Sequence, residues 1–214
     1  MDTNKPFVIT ISREVGSGGR TIGRELASRL GVRYCDKALI DALVQKFNIS
    51  AGNIESIKGQ KKNFLADALL RFSPDPHAAA AGMVRKEMTP GVTTDDVFKV
   101  ETEILKELAD QGSCVIAGRS GFFVLGDRTN KLDIFIRSSL SNRISRIMEK
   151  QGKTREEAEK IIGKVDRMRE NYIQRYTGKS RYDARNYDLV LNVDGLDTGE
   201  AVEIILEYIR NSKR

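Results

Sequence analysis

Gly16, Gly18 and Gly19 fall within four residues of one another and run directly into Arg20 and Thr21, inside the stretch FVITISREVGSGGRTIGRELASRL at positions 7–30. Glycines let the backbone turn its N–H groups toward an anion, an arginine grips one through its planar fork, and a threonine hydroxyl can sit on a divalent cation. The chemistry open to such a set is phosphate binding. An apolar run (Phe7, Val8, Ile9, Ile11) precedes the loop and an amphipathic run opens at Thr21 and Ile22. The loop therefore joins a buried strand to a helix whose N-terminal dipole favours negative charge.

Set against the phosphate-loop pattern G-x-x-x-x-G-K-[ST], with its last three positions on Gly19, Arg20 and Thr21, the chain has Glu14 at the first glycine and Arg20 at the lysine. Arg20 keeps a permanent cation, although a lysine is the more compact point charge; Thr21 keeps the hydroxyl that would meet Mg²⁺. Read instead as a dinucleotide loop, G-x-G-x-x-G from Gly16, the third glycine falls on Thr21 and the pattern fails, while Asp36 lies about where a ribose-binding acid would stand. A tight strand-to-helix turn with no ligand is the third reading. The loop alone leaves all three open.

Other residues join the candidate site through their place at strand ends. Val32 to Cys35 reads as a short strand, which puts Asp36 and Lys37 at its carboxyl end, where ligands of open α/β sheets collect; Asp36 reads equally well as the N-cap of the run ALIDALVQKF. Cys114 to Ala117 is an apolar strand followed by the tight loop Gly118-Arg119-Ser120-Gly121, so Arg119 faces the same rim as the glycine loop. No acid occurs from 113 to 123 to support Mg²⁺. Asp166 and Arg169 lie three apart on one helix face, the spacing of an orienting acid and a phosphate-binding arginine. Cys35 and Cys114, with the lone His77, support neither a zinc site nor a disulfide framework, and hydrolase schemes that need a histidine base have little to draw on.

The elements that must position these residues alternate. After the first helix and Gly31, the segment 38–94 mixes helical periodicity with Gly52, Gly59, Pro74, Pro76 and Pro90, as a helical insertion would. A helix follows from Val97 to about Ala109, then the strand 114–117, the strand Leu132 to Arg137, a helix from Ser138 to Lys150, and a long helix to about Tyr176 opened by the capping box Thr154 and Glu157. This hairpin and the stretch beyond it carry Arg143, Arg146, Arg155, Lys160, Lys164, Arg167, Arg169, Arg175, Lys179, Arg181 and Arg185, by default a solvated face, with some expected inward as a lid over phosphates. Tyr187 to Val193 is a last strand and Thr198 to Ile209 a last helix. Five strands alternating with helices predict a parallel sheet.

At 214 residues the chain suits one sizeable core with an insertion. Its 36 Lys and Arg against 30 Asp and Glu leave +6, which suits phosphorylated ligands or nucleic acid; the charge is modest and spread out and does not choose between them, and nucleic acid is the less expected partner. No apolar run is long enough to span a bilayer and MDTNKP lacks the regions of a signal peptide, so the expectation is a cytoplasmic protein with no membrane partner. No feature of the sequence sets an oligomeric state.

The order of motifs resembles one family. The N-terminal strand and glycine loop, Gly118-Arg119, the helix SSLSNRISRI, Asp166-x-x-Arg169 and YDLVLN together resemble the cytidylate kinases, and most closely the bacterial cytidylate kinase-like proteins. The resemblance implies a three-layer α/β fold of the P-loop kinase type, with a five-stranded parallel sheet flanked by helices. Its core would be 1–36, 96–137 and 186–214, with a helical acceptor-binding insertion at about 37–95 and a helical lid at about 138–185. It implies transfer of the ATP γ-phosphoryl group to CMP, dCMP or a related phosphorylated acceptor, with Mg²⁺. By position, Gly16, Ser17, Gly18, Gly19, Arg20 and Thr21 would hold the ATP phosphates, Thr21 would meet the metal, and Asp36, Lys37, Arg119, Ser120 and Arg169 would face the acceptor. Arg20, Arg119, Asp166 and Arg169 would serve the transfer itself. The chain departs from the family where cytidylate kinases have Gly-Arg-Asp, here Gly118-Arg119-Ser120, and where they carry an arginine in the insertion, here Leu39-Ile40-Asp41. A non-catalytic nucleotide-binding regulatory module is the alternative that the same residues allow.

Overall fold

The computed structural model describes residues 1–36 and 94–212. Lys37, His77, Leu39-Ile40-Asp41 and nearly all of the expected insertion lie outside the described residues. The chain divides into two compact units, Met1–Asp36 with Ser113–Arg214, and Lys37–Gly112.

Within the first unit, β1 (Val8–Arg13), β2 (Arg33–Cys35), β3 (Cys114–Ala117), β4 (Lys131–Arg137) and β5 (Leu189–Asn192) form a five-stranded sheet in the order β2-β3-β1-β4-β5, every pair parallel. The helices of this unit are α1 (Gly19–Arg29), the single turn α3 (Gly121–Val124), α4 (Leu140–Gln151), α5 (Arg155–Thr177) and α6 (Thr198–Asn211). In the second unit α2 (Thr94–Asp110) begins earlier than the expected Val97, with Asp95 and Asp96 in its first turn where the helix dipole favours acids, and it buries Val100, Ile104, Leu105 and Leu108.

β1 is central because it can be buried on both sides. Its odd residues Ile9 and Ile11, with Phe7 just before the strand, enter one core with Ile22 and Leu26 of α1, Ile134 and Ile136 of β4, and Val202 and Ile205 of α6. Its even residues Thr10 and Ser12 turn to the other face, where the Thr10 hydroxyl donates to Asp133 and Lys131 pairs with that same carboxylate. On that face the rings of Phe122, Phe135 and Tyr187 stack at centroid spacings of 5.2–5.4 Å. A smaller cluster, Ile144, Ile147, Ala158 and Ile162 with Val15 at its edge, holds α4 and α5 together beside the glycine loop.

Local signals explain the element ends. Thr154 and Glu157 make both bonds of the capping box that opens α5, and Asp197 and Glu200 make a second one at α6. Gly152 and Gly178, both left-handed, close α4 and α5. At the head of α4 the Asp194 carboxylate, just past β5, accepts from the Ser138 hydroxyl (2.6 Å), the Ser139 N–H (2.9 Å) and Asn142 Nδ2 (2.8 Å), and these bonds hold its pKa well below the usual carboxylate range. Replacing Ile11, fully buried in the core, by Ala is expected to destabilise the chain by about 2–5 kcal/mol, read as a lower midpoint in urea denaturation.

Candidate functional site

β1 ends at Arg13 and the chain turns through 14–17 into α1. Gly16 (φ 82°) and Gly18 (φ 84°) are left-handed, and Gly18 is the N-cap of α1, so the helix starts at Gly19, two residues before the expected Thr21. A Cβ on Gly18 would fall 1.7 Å from Nη1 of Arg146, so glycine is required there by close approach as well as by φ. The turn leaves donors unspent. The N–H groups of Thr21 and Ile22 bond to the Gly18 carbonyl and that of Glu14 to Ile136, whereas those of Gly16, Gly18, Gly19 and Arg20 find no acceptor among the described residues. Four free amides at the head of a helix, two of them on left-handed glycines, form a cradle for an anion.

The carbonyls of the same loop are held from the other side by arginines. Arg143 Nε donates to the Val15 carbonyl (2.8 Å), Arg146 Nη1 to that of Ser17 (2.9 Å), and Arg169 Nη1 to that of Arg13 (3.1 Å), which also accepts from Arg181. Asp166 ties these together. Its Oδ1 accepts from the Val15 N–H (3.1 Å) and from Arg181 Nη1 (3.2 Å), its Oδ2 pairs with Arg143, and Arg169 Nη1 lies 3.8 Å away. Glu14 adds a second acid, with Oε1 3.1 Å from Arg143 Nη1 and Oε2 accepting from the Ser138 N–H (3.1 Å). Burial, with repulsion from Arg13 and Arg181, pushes the Arg169 pKa down to about 10, which leaves it cationic at neutral pH.

At the neighbouring strand end, Gly118 (φ 89°), Arg119 (φ 56°) and Ser120 (φ 55°) are all left-handed. For the two that are not glycine such backbone costs about 1–3 kcal/mol each, and strain of this kind gathers at functional loops. The Ser120 hydroxyl is buried with no hydrogen-bond partner among the described residues. Gly118 is fastened to β1 through its N–H to the Ile11 carbonyl (3.0 Å), which sets this loop beside the glycine loop.

The expected site residues therefore fall into three groups. Gly16, Ser17, Gly18, Asp166 and Arg169 belong to one connected network, in which the Ser17 hydroxyl is spent on the Glu14 carbonyl (2.9 Å). Arg119 and Ser120 stand at the adjacent rim. Arg20 turns aside to the end of β2, where its Nη2 lies 2.7 Å and its Nε 2.9 Å from Asp36 Oδ2, and Thr21 is exposed. The sequence did not single out Arg13, and it offered Glu14 only as a departure from the loop pattern; of the cations read as a solvated face with some turned inward, Arg143 and Arg181 are among the inward ones, both buried. Arg155 and Lys160 do follow that default, paired in solvent with Glu159 and Glu156.

The model of the cytidylate kinase-like family matches residues 8–195. The chain is 25% identical over 211 residues to a cytidylate kinase of Archaeoglobus fulgidus, covering 96% of each. Its fold is similar to the crystal structure of an uncharacterized protein from Eubacterium ventriosum (TM-score 0.70, 22% identity, 96% of this chain and 99% of that one). It is similar also to a shikimate kinase from Bacteroides thetaiotaomicron (TM-score 0.52, 15% identity, 95% and 98% covered).

Removing Asp166 would leave the buried Arg143 and Arg181 without their shared carboxylate. Asp166→Ala is expected to destabilise by about 3–5 kcal/mol, as breaking one side of a buried pair does, with a matching fall of the denaturation midpoint.

Proposed function

The chain belongs to the cytidylate kinase-like family, and from that premise we propose that it is a nucleoside monophosphate kinase that moves the γ-phosphoryl group of ATP to CMP, dCMP or a close relative. The observation that carries this reading is the amide cradle at Gly16, Gly18, Gly19 and Arg20, placed at the carboxyl edge of a parallel sheet and surrounded by arginines.

In this reading the four free amides take the phosphate oxygens of the donor, and the α1 dipole adds to their field. Arg169 lies close enough to the loop to reach the donor's phosphates, and Arg119 presents a cation for the acceptor's phosphate. An oxygen of the acceptor phosphate forms a bond to the γ-phosphorus as the bond from that phosphorus to the bridging oxygen breaks, its electron pair leaving with ADP. Neither nucleophilic side chain nor histidine is needed, because the catalysis is positioning and charge neutralisation. Asp166 and Glu14 act one layer out, fixing the arginines and the loop.

Kinases of this family use ATP with Mg²⁺. The cradle suits a phosphate chain. For the cation Thr21 would offer a hydroxyl, and among the described residues no three acidic, histidine or cysteine side chains cluster to hold a metal. That thin donor set, with no lysine in the loop, favours the second reading, a module that binds nucleotide and regulates a partner.

A coupled assay of ADP formation with ATP, Mg²⁺ and a panel of nucleoside monophosphates tests the two against each other. Turnover with CMP or dCMP is expected; ATP binding with no acceptor turned over would leave the regulatory module. In the active case, Arg119→Ala is expected to raise the KM for the monophosphate by about 10–100-fold, the value of a charge-assisted hydrogen bond.

A further inference from the structure

The start of α1 at Gly19 changes the register in which the loop matches the phosphate-loop pattern. With Gly18 as the glycine at the helix cap, the lysine position falls on Gly19 and the first-glycine position on Arg13. Each of those two positions holds the reverse of what the pattern asks. The helix has lost its cation and the end of the strand has gained one.

The space follows the exchange. A Cβ on Gly19 would lie 2.7 Å from Cβ and 3.0 Å from Cγ of Arg13, so the arginine stem fills the room that a side chain at Gly19 would occupy. At its other end, a Cβ on Gly118 would lie 2.2 Å from Arg13 Nη1. Arg13 thus lies along a slot between two glycines, one on the phosphate cradle and one on the loop that carries Arg119. Its guanidinium has neither ion pair nor hydrogen-bond acceptor among the described residues, whereas Arg20 has Asp36, Arg143 has Glu14 and Asp166, and Arg181 has Asp166. Desolvation lowers its pKa most and Arg181 and Arg20 repel it, which the favourable fields of Tyr34 and Asp36 offset only in part. A desolvated cation that pairs with no carboxylate among the described residues, set between a free-amide cradle and a second arginine loop, calls for an anion.

We propose that Arg13 is the phosphoryl-binding cation of this site, standing in from β1 for the lysine that the helix lacks and bridging the donor and acceptor phosphates. The proposal rests on the kinase reading for its reaction and on the loop geometry alone for its ligand, ATP. Gly19 and Gly118 are then glycines because Arg13 lies across both, and Arg20 is free to serve Asp36. Because the guanidinium is fixed in its slot by packing, it meets the phosphate as a preorganised charge.

The test combines binding and turnover in the full chain. Arg13→Gln is expected to weaken ATP binding, measured by calorimetry in the presence of Mg²⁺, at least tenfold and to lower kcat by about 100-fold or more. The double variant Arg13→Gly with Gly19→Lys, which returns the cation to the helix, is expected to recover at least about tenfold of the lost kcat, a rescue that a merely structural arginine would not show. Gly19→Lys alone should fail, since its stem meets Arg13. If Arg13→Gln does not fold, Arg13→Met keeps the stem between the glycines and is read in its place. Wild-type ATP affinity and turnover in the folded Arg13 variant would overturn the proposal. A wild-type protein that binds ATP and phosphorylates no monophosphate overturns the kinase reading instead, and the affinity of the Arg13 variant still decides the role of Arg13.

Discussion

One carboxylate sets the geometry of the glycine loop. Asp166 reaches from the middle of α5 to the Val15 N–H while pairing with Arg143 of α4 and Arg181 beyond α5. A buried charge of this kind is tolerated only when its oxygens are fully engaged, and here the engagement is with the backbone of the loop and with the arginines that hold that backbone. The loop amides left over are those of Gly16, Gly18, Gly19 and Arg20, because the carbonyls and the Val15 N–H are already bound. The helical hairpin is therefore a wall of the candidate site.

The charge balance around that wall points to an anion. Arg169 and Arg181 share one neighbouring acid in Asp166 while Arg13 is paired with none among the described residues, and burial together with mutual repulsion depresses the pKa of Arg13 and Arg169. In water such crowding would be screened; in a partly desolvated cleft it is stored, and a bound anion would neutralise it. Strain is stored at the rim as well, in the left-handed Arg119 and Ser120. Both reservoirs lie along the carboxyl ends of β1 and β3, where parallel sheets bind ligands.

The sheet was legible because its strands are short apolar runs ended by Gly, Asp or Arg, and such runs have few other uses in a chain of alternating patterns. The capping box at Thr154 was legible for the same local reason. The site was readable in kind and not in detail. Three glycines in a row of four leave the cap ambiguous, and only the left-handed Gly18 fixes it, so the position opposite the lysine moved from Arg20 to Gly19. Arg13 was invisible because an arginine after a strand looks like any strand end until Gly19 and Gly118 are seen beneath it. Arg143 and Arg181 resemble Arg155 in sequence; only the partner at Asp166, 23 and 15 residues away, draws them inward.

The central claim is that the free amides of the loop hold the phosphates of a nucleotide, and amide hydrogen exchange reads it directly. In the absence of nucleotide the N–H groups of Gly16, Gly18, Gly19 and Arg20, having no acceptor, should exchange rapidly, while that of Val15, bound to Asp166, is protected. Saturating ATP with Mg²⁺ should slow exchange at those four amides and leave α6 unchanged. Slowing elsewhere in the chain, with those four amides still exchanging freely, would contradict the account.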